Sequence, residues 1–173
     1  MGRLPYVRGA VIVVLGTDAS TTIAREAPAS ADRCETGGIL LGHDLGHRLS
    51  VTVAGGPGPN ADRRCDGFLR DLDHARRVGD AAYERDGSVW VGEWHTHPGG
   101  PMSPSPTDMR TYARLLADPE LGFNRVLSLI ATQCPVHGWE ETSLTGWIVD
   151  ETGAHLTDIA VEGTAHLRHR EAW

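Results

Sequence analysis

No lysine occurs anywhere in the 173 residues; all sixteen basic side chains are arginine. The chain thus offers no lysine amine for its own modification, a bias that an arginine-favouring genome explains. Positive charge is also outweighed. The 23 carboxylates leave a formal net charge of −7, the wrong sign for a protein whose main partner is nucleic acid. Cysteine is scarce and odd in number, and Cys34, Cys65 and Cys134 form no C-x-x-C pair. That pattern excludes a disulfide framework and reads as reduced thiols in a cytoplasmic protein. No membrane segment is expected either. The early run AVIVVLG has seven residues where a spanning helix needs about 20, and Asp18 follows too soon for a signal peptide. The helical zinc-protease motif H-E-x-x-H is absent as well.

What is present suits one globular domain. The 40% hydrophobic and 23% charged content is ordinary for such a protein, and the length is too short for two ordinary domains. The β-branched run at 11–15 reads as a strand, and 20–27 as a short helix stopped near Pro28. Segments 37–42 and 49–54 read as paired strands around the turn HDLGHR. GGPGPNADRR is expected as a loop, since its glycines and prolines break any period. Over 71–85, Leu72, Ala75, Val78 and Ala82 recur at helical steps. Strands follow at 88–94, 125–133 and 141–150, with a helix marked by Met109, Tyr112, Ala113 and Leu116. HLTDIAVEG can add another strand, and HLRHREAW is unassigned. The order implies a single α/β domain over 1–173 with a mixed central β-sheet flanked by helices.

The chemistry concentrates in GEWHTHPGGPMSPSPTD, residues 92–108. Side chains two apart on a strand share a face, so His95 and His97 point the same way about 6.8 Å apart along the backbone. Two imidazoles so placed can chelate one ion, and Asp108 is the nearest third ligand. Two histidines and one carboxylate leave a fourth tetrahedral position for water, the arrangement of catalytic zinc sites, where the ion lowers that water's pKa to about 7. SPTD also has a purely structural reading: Ser105 as N-cap, Pro106 at the first helical position and Asp108 reciprocating at the third. The two readings are compatible, because a helix start can fix both side chains toward a metal.

HTHPGGPMSPSPTD fits H-x-H, seven residues, S-x-x-D, and so resembles the signature of the JAMM (JAB1/MPN/Mov34) metalloproteases. CETGGILLGH resembles that family's E-x-G-G-x-L-x-G segment. The resemblance implies the single-domain MPN/JAB (cytidine-deaminase-like) fold and one catalytic zinc held by His95, His97 and Asp108, with no other cofactor. It further implies Glu35 as the general base that passes a proton to the leaving amine. Ser105 would be the donor to the oxyanion, a role whose loss costs roughly 10²–10³ in rate. Glu93 shares the histidines' parity and is a rival for the base, or else a group orienting an imidazole.

Other candidates read as ordinary surface or packing. His43 and His47 flank a turn. Cys134 and His137 have ligand chemistry but no second pair, and His166 and His169 sit three apart in the tail. Cys34 is expected to pack rather than act as a nucleophile. Arg63 and Arg64 are expected in a solvated loop.

Members of the family cut after the C-terminal tail of a ubiquitin-like protein, which implies such a protein or its conjugates as substrate. GPGPNA, the F-x-R-D of residues 68–71 and GEWHTHP resemble a prokaryotic branch. That branch occurs beside activating-like and conjugating-like enzymes in bacterial anti-phage operons, which would be further partners. Two alternatives share the motif or the fold: release of an amino acid such as cysteine from a sulfur-carrier protein, and a non-catalytic scaffold.

Overall fold

The apolar run becomes strand β1 (Ile12–Leu15), with Val13 and Leu15 buried and Ile12 exposed, the two-residue alternation of a strand facing a core. The computed structural model describes residues 11–136 and 139–163. Helix α1 (Thr17–Glu26) buries Ala19 and Ile23. Pro28 does not return the chain to coil but sits early in a 3-10 helix, Ala27–Asp32. The next two apolar runs form β2 (Gly37–Asp44) and β3 (Arg48–Ala54), which pair antiparallel.

The glycine- and proline-rich segment departs from the expected loop at its end. Its last residues form β4 (Asp62–Arg64), which pairs antiparallel with β5 (Gly67–Leu69). Strands of three residues are too short for alternation to register in a sequence. Helix α2 (Leu72–Asp86) starts where Asp71 caps it, its carboxylate accepting the His74 N–H at 3.0 Å. It ends on Gly87 at φ 73°, a left-handed stop that glycine adopts without a Cβ penalty. Strand β6 (Val89–Thr96), helix α3 (Pro106–Ala117) and strands β7 (Val126–Val136), β8 (Trp139–Asp150) and β9 (Gly153–Val161) complete the order.

The mixed α/β character stands, but the central sheet is not open. Its order is β1-β3-β2-β6-β7-β8-β9, and β9 pairs back onto β1 to close a barrel. Pairing is parallel at β1–β3, β1–β9 and β6–β7 and antiparallel elsewhere. The first and last strands are nearly 150 residues apart, a separation that no local pattern reports.

One face of the sheet builds the main core, in which Val13, Leu40, Val51, Trp94, Leu127 and Leu129 are buried in one cluster with Ala19 and Ile23 of α1. The Trp94 indole N–H donates to the Gly55 carbonyl at 2.8 Å, so its polar edge is satisfied inside that core. The other face takes the remaining helices. Ile39 and Leu41 of β2 meet Ala75 and Ala82 of α2, while Val126 of β7 meets Tyr112 of α3. The Tyr112 hydroxyl shares a hydrogen bond with Ser128 at 2.8 Å. That contact docks α3 beside the end of β6, where the two histidines stand.

Candidate metal centre and its surroundings

Strand register puts the candidate groups on one face. Gly37 lies opposite His95 and Ile39 opposite Glu93 in the β2–β6 pair, and opposed residues share a face. The pairing runs on past β2, with the Thr96 N–H donating to the Thr36 carbonyl at 2.8 Å. Two residues beyond the Gly37–His95 pair, Glu35 therefore falls across from His97. The contact is close: a Cβ on Gly37 would lie 2.2 Å from the Trp94 carbonyl oxygen and 2.9 Å from the His95 Cα. Only glycine fits there without shifting the strand that carries His95.

Both imidazoles are buried, and their Nε2 atoms are 2.9 Å apart. Each Nε2 is 3.4 Å from the Asp108 Oδ2. His97 Nδ1 meets the Pro101 carbonyl at 2.7 Å. Since a carbonyl only accepts, Nδ1 must carry the proton, which leaves the Nε2 lone pair for a ligand in the neutral ring. Asp108 arrives by the capping box of α3. The Ser105 Oγ accepts the Asp108 N–H at 3.2 Å, and the Asp108 Oδ2 accepts the Ser105 N–H at 2.7 Å. The structural reading of SPTD is thus what aims the carboxylate at the histidines.

These three side chains form a group able to hold a metal ion. A tetrahedral zinc about 2.0–2.1 Å from each donor spaces its donors by roughly 3.3 Å. The observed 2.9, 3.4 and 3.4 Å bracket that value, so nitrogen–nitrogen–oxygen chemistry and spacing both fit.

The electrostatics separate the two carboxylates. Burial raises the pKa of Asp108, but hydrogen bonds from His95 and His97 overcome it and hold the group well below the usual carboxylate range. Burial also works on Glu35 and there it wins, pushing the carboxyl up against the opposing pull of His95 and His97. His97 is raised: burial disfavours its charge, but Asp108 and the Pro101 carbonyl more than compensate. One carboxylate is therefore a firm anion facing the histidines, and the other is a more basic group beside them, the division that acid–base sites use.

Glu93 has the parity of the histidines, but the Arg70 guanidinium binds its carboxylate. Arg70 also lies over the Trp90 ring, 5.5 Å from its centroid. The Glu93 carboxylate is thus engaged by an ion pair, whereas Glu35 lies across from His97. Neither Arg70 nor the role of Gly37 was legible in the sequence; the F-x-R-D string contained Arg70 without a partner. Arg63 and Arg64 lie on β4 rather than in a loop; Arg64 is exposed, as expected, and Arg63 is half-buried. Cys34 and Cys65 are free thiols outside the histidine group. His43 is half-buried beside Ser88 at 3.4 Å, and His47 is exposed. His137, His166, His169 and the side chain of Cys134 fall outside the described residues.

Residues 18–147 match the family described as prokaryotic homologs of the JAB domain, and this chain belongs to that family. Among its relatives, the CD-NTase/cGAS isopeptidase of Vibrio cholerae is 35% identical over 88 residues, covering 50% of this chain and 56% of the relative. A CD-NTase/cGAS isopeptidase of Escherichia coli is 35% identical over 80 residues, 45% of this chain and 51% of the relative. One from Enterobacter hormaechei is 36% identical over 92 residues, 49% and 47% of the two chains. The chain spans about half the length of these curated relatives. In fold it is similar to the solution structure of a protein from Desulfitobacterium hafniense, with a TM-score of 0.63 over 92% of this chain and 99% of that one at 18% identity. No helix among the described residues is long and apolar enough to cross a membrane.

Proposed function

We propose that this protein is a zinc-dependent isopeptidase of the JAMM type, a single domain of the MPN/JAB (cytidine-deaminase-like) arrangement acting in the cytoplasm. Its substrate is the bond after the C-terminal tail of a ubiquitin-like protein. The relatives' name points to a CD-NTase/cGAS-type enzyme as the protein released, and the resemblance of GPGPNA, F-x-R-D and GEWHTHP to the prokaryotic branch supports a role in bacterial anti-phage defence. The observation that carries this reading is the convergence of His95, His97 and Asp108 with Glu35 across the strand pair.

His95, His97 and Asp108 would hold the zinc, which supplies Lewis acidity toward the scissile carbonyl and the attacking water. Glu35, made more basic by burial, takes the water's proton and returns it to the departing amine. Ser105 sits at the N-terminus of α3, where its hydroxyl and the positive end of the helix dipole favour developing negative charge. The extended tail would lie along a strand edge near the centre, with backbone hydrogen bonds supplying much of its affinity.

The test is cleavage of a ubiquitin-like protein conjugated to a CD-NTase, run beside a sulfur carrier bearing a C-terminal cysteine. Wild type should release the CD-NTase, and Glu35→Gln should not, while keeping its zinc. Release of cysteine alone would move the substrate class. Cleavage by Glu35→Gln at the wild-type rate would remove Glu35 as the base.

A further inference from the structure

The segment that delivers Glu35 has no regular structure of its own. It leaves the 3-10 helix through Arg33, a non-glycine residue in the left-handed region at φ 66°, and joins β2 only at Gly37. Its geometry is instead fixed from outside, by β4. The Glu35 N–H donates to the Arg64 carbonyl at 2.8 Å, and the Glu35 carbonyl accepts from the Arg63 Nε at 3.2 Å. Both backbone polar groups of the residue are thus held by two neighbours on one short strand.

Arg63 does more than make one bond. Its guanidinium forks onto both carboxylate oxygens of Asp32, at 3.0 and 3.1 Å. It also donates to the carbonyls of Ala29 at 2.9 Å and Cys34 at 3.2 Å. Asp32 in turn accepts the Cys34 N–H at 2.8 Å. One planar side chain therefore gathers four residues of the 29–35 segment, a task suited to the five fixed donors of arginine and beyond a single ammonium.

We propose that Arg63 is a positioning residue for Glu35: from the β4–β5 hairpin it fixes the backbone that aims the base at the metal centre. The inference rests on the proposed hydrolytic role of Glu35 and extends it to a residue that touches neither substrate nor metal. It also makes the hairpin part of the catalytic apparatus, since any displacement of β4 is transmitted directly to the backbone of Glu35.

The experiment compares wild type, Arg63→Ala, Arg63→Lys and Asp32→Asn on the CD-NTase conjugate, with zinc content and amide hydrogen exchange measured on the same samples. Misplacing a reacting group by about 1 Å can cost on the order of 10²-fold in rate. Arg63→Ala should therefore lose roughly 10- to 100-fold in kcat, with KM and zinc stoichiometry unchanged. Lysine should not rescue, because it lacks the fork, and Asp32→Asn should show a smaller loss. Exchange at the Glu35 amide should accelerate while the His97 amide, bound to the Ala131 carbonyl at 3.0 Å, keeps its protection. Wild-type kcat or unchanged Glu35 exchange in Arg63→Ala would overturn the proposal. So would a loss shared equally by kcat, zinc and overall stability, which marks a general structural role. If wild type cleaves nothing, the functional reading fails, and the exchange comparison still decides whether Arg63 holds the segment.

Discussion

Gly37→Ala places a single methyl group against the strand that carries His95. Its Cβ would lie 2.2 Å from the Trp94 carbonyl oxygen and 2.9 Å from both the Cα and Cβ of His95. Ordinary contact begins near 3.4 Å, so β2 and β6 must separate by more than 1 Å beside the metal centre. Overpacking of this kind costs about 1–3 kcal/mol, which in a chain of this size lowers Tm by roughly 2–12 °C. The shift falls on a candidate ligand, so zinc affinity and turnover should drop further than stability does, turnover on the order of 10²-fold. Gly38→Ala is the control: its Cβ would meet the Gly55 carbonyl oxygen instead, so it should lose stability with a smaller effect on zinc. Gly79→Ala, on α2 with nothing within 4 Å, should gain up to about 1 kcal/mol. Thermal melts and zinc titration of the three variants settle it. A Gly37→Ala protein with wild-type Tm and zinc affinity would refute the claim that this glycine sets the position of His95.

Further expectations concern charge and hydrogen bonding. Burial raises the folded-state pKa of Glu35, so its ionisation opposes folding once pH rises through that pKa. In the metal-free protein, Glu35→Gln should therefore be more stable than wild type at pH 7. The gap should close below pH ~4, where the carboxyl is protonated in both folded and unfolded states. A constant gap from pH 3 to 8 would contradict the assignment. Arg70→Met strands the buried Glu93 carboxylate and should cost about 3–5 kcal/mol, whereas Arg70→Met with Glu93→Leu should recover most of it; denaturant melts distinguish these outcomes. Ser105→Ala removes the helix cap, at a cost of about 1 kcal/mol, and should lower kcat by roughly 10²–10³. Ser105→Thr should keep both, so a Thr variant as slow as Ala would remove the hydroxyl from the chemistry.

The parts of this molecule written locally were readable, and those set by long-range pairing were not. H-x-H on a strand and S-x-x-D at a helix start are short motifs whose geometry follows from the period of the element carrying them. His95, His97 and Asp108 could be grouped on that basis before any fold was known. Glu35 came into the group through the resemblance alone. Its place beside His97 depends on the β2–β6 register, which no spacing between positions 35 and 97 encodes. Arg70 and Arg63 were opaque for the same reason: their partners lie 23 and 28–34 positions away, and an isolated arginine in a loop-like string carries no mark of its partner. Closure of the sheet by β1 and β9 is the extreme case, a four-residue apolar strand and a nine-residue mixed one at opposite ends of the described chain. Glu93 shows the converse limit. Parity alone offers it to the chemistry beside the histidines, while the fold engages its buried carboxylate in an ion pair with Arg70, a partner that parity does not reveal.

X-ray absorption at the zinc edge of the reconstituted protein tests the metal centre most directly. One zinc per chain should be found, bound only through nitrogen and oxygen at about 2.0–2.1 Å with the multiple-scattering signature of two imidazoles, and His97→Ala should lose one imidazole or the ion itself. Sulfur at about 2.3 Å, which would bring in a cysteine, or an unaltered spectrum in His97→Ala, would contradict the assignment of His95, His97 and Asp108.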